Sequence, residues 1–115
     1  MKDDVALLNI ILHYCSRVEE GLENFSCDGE GFIKNWTLQY TCSFCILQIG
    51  EAVKSLSPEL TKNYKEIRWR GISGMRDVIA QGYDEINLET LWFSVTEEIP
   101  ALKVACERIL KELMP

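Results

Sequence analysis

Three side chains able to do chemistry fall within the ten residues from Gly74 to Tyr83, which read GMRDVIAQGY. Arg76 carries a permanent charge on a planar fork that can hold an anion as negative charge builds. Tyr83 offers a hydroxyl that donates and accepts hydrogen bonds. Gln81 stands where a catalytic motif of this outline would carry its acid–base residue. A primary amide hydrogen-bonds in both senses but exchanges no proton near neutral pH. Losing general acid–base catalysis typically costs about 10²–10⁴-fold in rate.

On one helix Arg76 and Tyr83, seven residues apart, project to nearly the same side, with Gln81 about 140° round from Arg76. Arg70 and Trp69 lie further up that helix, and Trp69 is the tryptophan to place beside a cleft. Lys62, Lys65, Arg68, Arg70 and Arg76 are opposed between positions 62 and 76 only by Glu66. The whole chain has 12 basic and 18 acidic residues, net −6. Such a field makes no general case for nucleic-acid binding, so a basic site here would be local, on an acidic body.

Other candidates read as structural. His13, the only histidine, stands near the apolar face of the first helix as a packed or boundary residue. Trp36 and Trp92 suit core or dimer packing better than base stacking. Glu97 and Glu98 diverge by about 100° on a helix, a poor carboxylate pair. Asp84 and Glu85 read as a solvated turn. The five cysteines are Cys15, Cys27, Cys42, Cys45 and Cys106. An odd count does not suggest a disulfide framework. CSFC at 42–45 has no second pair to complete a zinc site. No metal and no cofactor are expected.

The elements that must hold the motif are helices. Val5, Leu8, Ile11, Leu12, Cys15, Val18 and Leu22 give one apolar face over 3–23. NFSCDGEGF at 24–32 reads as a loop. A second helix over 34–56 is apolar on several faces and should be central. Ser57 and Pro58 fit the cap and first position of a short helical turn. The motif helix spans 69–81 and ends at Gly82. The last helix starts at the Asn87 cap, with a kink or break expected between Thr96 and Pro100. The expected fold class is all-α: one domain over 1–115, a four-helix up-and-down bundle with room for one short extra helix. No run of 18 apolar residues exists and the opening MKDDVALLNI lacks the pattern of a secretory signal, so a soluble, cytoplasmic protein is expected.

From Gly50 onward the chain resembles the HepT-like family of the HEPN superfamily. GEA on the second helix, the tryptophan followed by MR, the Gly-Tyr after the motif, and LW with a later Ile-Pro on the last helix fall in family order. The resemblance implies a homodimer of helical bundles whose motif helices meet near the two-fold axis. It implies the motif Arg, four residues, His, one residue, Tyr, which maps onto Arg76, Gln81 and Tyr83. Active members resemble metal-independent ribonuclease toxins. There a base takes the ribose 2′-proton and an acid protonates the leaving 5′-oxygen, both tasks suited to histidine. The implied partner is a minimal nucleotidyltransferase, MntA-like, which acts as antitoxin and attaches AMP to the tyrosine, here Tyr83. With Gln81 in place of histidine, and Asp77 where the family often has asparagine, the nuclease is expected to be weakened or lost. Arg76, Arg70 and Arg68 would still hold phosphate, nucleotide or RNA. Two alternatives stay open: an active RNA endonuclease neutralised by AMPylation of Tyr83, and the nucleotide- or substrate-binding subunit of a nucleotidyltransferase.

Overall fold

The computed structural model describes residues 3–25 and 28–114, and every regular element among them is helical. Helix α1 runs Asp4–Phe25. The carboxylate of Asp3 accepts from the backbone N–H of Ala6 at 2.8 Å, satisfying one of the free donors of the first turn. Leu8, Ile11, Cys15 and Val18 are buried along one face, at the spacing read from the sequence.

The segment expected as a loop is a helix over much of its length. Helix α2, Gly29–Lys34, is capped by Asp28, whose Oδ1 accepts from Gly31 N at 2.8 Å. Phe32, fully buried, anchors it against Trp92 with ring centroids 5.1 Å apart. Burial of one large aromatic thus offsets the weak helix propensity of two glycines. Cys27 and Ser26 lie outside the described residues. Asn35 then caps α3, Trp36–Ser55, by accepting from Leu38 N at 3.0 Å, so the second long helix begins two residues later than the apolar pattern suggests.

Helix α3 is the central element. Leu38, Cys42, Cys45, Ile46, Ile49, Ala52 and Val53 are buried from it. On one side α1 runs antiparallel to it: Asp4 accepts from the backbone N–H and hydroxyl of Ser57 at 2.9 and 2.6 Å, and Gly21 faces Leu38 and Thr41. Ser57 also caps the short α4, Pro58–Asn63, with proline at its first position as expected. On the other side lies α5, Trp69–Gln81. Any Cβ placed on Gly50 would fall 2.2 Å from Arg76 Cβ, so the two backbones approach as closely as they do only because position 50 has no side chain.

A single 3₁₀ turn, Tyr83–Glu85, follows α5. Asn87 caps α6, Leu88–Phe93, accepting from Thr90 N at 3.0 Å. The expected break before Pro100 takes the form of a π-helical turn over Ser94–Glu98, which leads into α7, Ile99–Leu113. Pro100 has no N–H to continue the α-ladder, and the widened turn absorbs that gap. Leu102, Cys106 and Ile109 of α7 pack into the core beside α1, and Lys103 Nζ pairs with Glu19 at 2.8 Å. The result is an all-α bundle of four long helical stretches with two short helices. Among the described residues no helix is long and apolar enough to cross a membrane.

Candidate functional site

Arg76 lies at the point of closest contact between α5 and α3. Its stem crosses Gly50, and its side chain is 28% exposed. The guanidinium is already engaged. Nε sits 2.9 Å from Glu51 Oε1, an ion-pair separation without hydrogen-bond alignment, and Nη1 donates to Asp77 Oδ1 at 3.2 Å. Asp77 also pairs with Lys54 Nζ. The Lys54 hydrogen bond first, and Arg76 second, hold the Asp77 carboxyl below the usual aspartate range. Two cations and two carboxylates form a locally neutral cluster, so an incoming phosphate must compete for Arg76 with groups of its own chain.

Tyr83 lies elsewhere. Helix α5 ends at Gln81, so the helical projection that would align Tyr83 with Arg76 stops two residues short of it. The 3₁₀ turn carries Tyr83 back onto the first half of α3, where its hydroxyl donates to Gln39 Oε1 at 2.9 Å. Its ring meets Tyr40 edge to face, centroids 4.9 Å apart. Burial pushes the Tyr83 hydroxyl pKa up, Tyr40 adds to this, and the neighbouring Ser43 hydroxyl opposes it. Gln39 and Glu51 mark the two levels on α3, separated by roughly 18 Å of helical rise. Gln81 is exposed at the end of α5 between them. Within the single chain the three motif residues do not converge: Arg76 crosses Gly50, Tyr83 meets Gln39, and Gln81 projects about 140° round α5 from Arg76 into solvent.

Gln39 was not singled out by the sequence reading. It is buried, and its Nε2 donates to the carbonyls of Phe32 and Ile33 at 2.8 and 2.9 Å while Oε1 receives Tyr83. One amide thus closes the end of α2 and seats the motif tyrosine. The available signal was an uncharged polar side chain in the most apolar helix, which in a buried position needs partners. Glu51 was read only as part of GEA.

Three basic residues of the sequence cluster, Lys65, Arg68 and Arg70, gather away from Arg76, without Lys62 and joined by Lys54 from α3. Lys54, Lys65, Arg68 and Arg70 line a cleft of about 600 Å³ where the end of α3, α4 and the start of α5 meet. Arg70 and Arg76 lie about 120° apart round α5. Arg68, mostly exposed, is 3.9 Å from Glu98. Trp69, expected beside a cleft with its ring available, is instead a core residue, 8% exposed. Its indole N–H donates to Tyr64 O at 3.1 Å, which satisfies the one polar atom that burial would strand. Trp36, expected in packing, is 65% exposed in the single chain. Trp92 is half-buried against Phe32. His13, expected as packed or at a boundary, has an exposed side chain whose ring meets Tyr14 edge-on at 4.9 Å. Cys42 and Cys45 of CSFC both face the core. Among the described residues no three His, Cys, Asp or Glu side chains gather as metal ligands.

Comparison with known proteins identifies the family of the whole chain. A family model described as Ribonuclease HepT-like matches residues 11–109. A protein of Methanocaldococcus jannaschii is 33% identical over 114 residues, covering 97% of this chain and 95% of that one. One from Caldanaerobacter subterraneus subsp. tengcongensis is 31% identical over 112 residues, covering 97% and 98%. One from Thermococcus cleftensis is 32% identical over 89 residues, covering 77% and 74%. The first two are provisionally named as RNases and the third as ribonuclease HepT. No solved structure gives a significant match.

Proposed function

Because the chain belongs to the HepT-like ribonuclease family, we propose that it is the HepT-like component of a toxin–antitoxin pair: a homodimer that binds a cognate, MntA-like minimal nucleotidyltransferase, with its own metal-independent ribonuclease activity weakened. The observation that carries the weakened activity is the state of the motif. Gln81 brings no proton carrier to the end of α5, and Arg76 is held by Glu51 and Asp77. Both departures act against cleavage, one on proton transfer and the other on phosphate binding.

Helix α3 supports the dimer. Trp36, Tyr40 and Phe44, at i, i+4 and i+8, are each more than half exposed and form an aromatic stripe along its outer face. Tyr83 packs on Tyr40 within that stripe, so a two-fold pairing along it would bring the two motif tyrosines to one seam. Tyr83 keeps a hydroxyl at a partly open site, which suits it to receive AMP from a partner. The cleft of Lys65, Arg68 and Arg70, lined also by the Lys54 that pairs with Asp77, supplies a further cationic surface for an RNA or nucleotide phosphate.

The test pairs two measurements. Purified wild type and Gln81→His are incubated with RNA in chelator, and wild type and Tyr83→Phe with an MntA-like minimal nucleotidyltransferase and labelled ATP. Cleavage rising by about 10²-fold or more in Gln81→His, with label on wild type but not Tyr83→Phe, is the expected result. Fast cleavage by the wild type would overturn the weakened activity; absence of both binding and labelling would overturn the partnership.

A further inference from the structure

Gln39 has no freedom in how it meets Tyr83. Both hydrogens of its Nε2 are committed, to the carbonyls of Phe32 and Ile33 at 2.8 and 2.9 Å. Turning the amide over would set Oε1 against those two carbonyl oxygens, so Oε1 must face the tyrosine. An amide oxygen only accepts, and the Tyr83 hydroxyl 2.9 Å away must therefore donate. Gln39 is buried, so an oxygen left without that donor would carry the full cost of its desolvation. One residue thus ties the Tyr83–Glu85 turn to α3 and, through the two carbonyls, to the end of α2. Among the described residues the side chains that bear on the Tyr83 hydroxyl are Gln39, Tyr40, Cys42, Ser43 and Asp84, none of them a cation.

We propose that Gln39 reads the chemical state of Tyr83: the free hydroxyl latches the 83–85 turn onto α3, and a group placed on that oxygen releases it. The use of this latch as regulation rests on the reading of Tyr83 as the AMP acceptor. In that transfer the phenolic oxygen bonds to the α-phosphorus of ATP, and the bond from that phosphorus to pyrophosphate breaks. The phenolic proton goes to a base on the nucleotidyltransferase, because an amide takes none near neutral pH. The phosphodiester formed carries a negative charge and acceptor oxygens only. Its bridging oxygen then stands against Gln39 Oε1 with no hydrogen between them, and no cation of this site offsets the charge. Relief requires the turn to move off until water can reach Gln39. The edge-to-face contact of Tyr83 with Tyr40, centroids 4.9 Å apart, is given up with it. Tyr40 belongs to the exposed aromatic stripe of α3, so modification alters that surface as well as blocking the hydroxyl.

Two replacements in the full chain test the latch without any partner enzyme. Tyr83→Phe removes the donor and adds no bulk, while O-methyltyrosine at position 83 removes the donor and keeps ring and oxygen. The readout is hydrogen exchange at the amides of Glu85 and Ile86, which close the turn onto Gly82 O and Tyr83 O. It is expected to quicken about five-fold in Tyr83→Phe, the factor that one typical hydrogen bond supplies, and further with O-methyltyrosine, while the amides of α7 stay as in wild type. Exchange within about two-fold of wild type in both forms overturns the latch. Quickening with O-methyltyrosine alone assigns the release to bulk and overturns the part given to Gln39. Wild type carrying AMP from an MntA-like nucleotidyltransferase is expected to match the O-methyltyrosine form, and a labelled chain with wild-type exchange overturns the proposal. Failure of Tyr83 to take label overturns its use as a signal together with the AMP reading, while the two replacements still decide the latch.

Discussion

Asp77 shows how one side chain can alter a motif without replacing any of its members. It hydrogen-bonds Arg76 and Lys54 at once, and both hold its carboxyl ionised below the ordinary range. A depressed pKa in the folded state contributes stability that is complete above the unfolded value, about 3.9, and is lost as pH falls through the folded one. Urea melts should therefore show wild type losing more stability than Asp77→Asn below about pH 4; parallel acid limbs for the two would show that the pairing has no such effect. The thiols give a second expectation. Burial pushes Cys15 and Cys106 up to about 12 and Cys45 up to about 11. Only the thiolate alkylates readily, so peptide mapping after brief iodoacetamide treatment at pH 8 should find all three unmodified in the native protein and modified in urea. Rapid native labelling of any of them would contradict its place in the core.

Two elements, α3 and α5, decide where the motif stands, and Gly50 decides how close they come. Its missing side chain lets the stem of Arg76 cross the α3 backbone. Gly50→Ala adds a methyl group that overlaps Arg76 Cβ and Cγ, at 2.2 and 2.7 Å, and relief requires the helices to part. Overpacking of this kind costs typically about 1–3 kcal/mol, more than the gain in helix propensity of about 1 kcal/mol from replacing glycine. Denaturant unfolding of Gly50→Ala should show a net loss; a net gain would mean that the contact relaxes freely. The same pair of helices explains why Gln39 matters. Residue 39 is level with Tyr83 because α5 runs back along α3 and its following turn lands at the other end.

For the whole molecule, the outer face of α3 is the telling surface. Core burial accounts for the inner positions of that helix, but Trp36, Tyr40 and Phe44 gain nothing from facing water. A homodimer joined along this stripe should give about twice the 13.2 kDa chain mass by light scattering. Trp36→Asp with Tyr40→Asp should return it to the monomer while leaving the far-ultraviolet dichroism intact, since neither side chain is in the core. A wild-type monomer at micromolar concentration would remove the shared motif seam.

Much of this was legible in the linear order of residues, and the reasons are local. The apolar rhythm of α1 and the span of α5 follow from helical periodicity. The Ser57–Pro58 start of α4, the Asn87 cap and the disturbance before Pro100 follow from backbone donors counted residue by residue. The HepT-like resemblance, too, is carried by residue types in order. What the chain could not announce was set by contacts between elements distant in sequence. Phe32 finds its core position only through Trp92, which turns an apparent loop into α2. Trp69 becomes core because Tyr64 O receives its indole N–H, although its neighbours are charged. Arg76 meets Glu51 and Tyr83 meets Gln39 through the packing of α5 and its following turn on α3. Periodicity tells a residue which face of its own helix it occupies, while the choice of neighbouring helix, and the register against it, is made by the burial of the whole set at once.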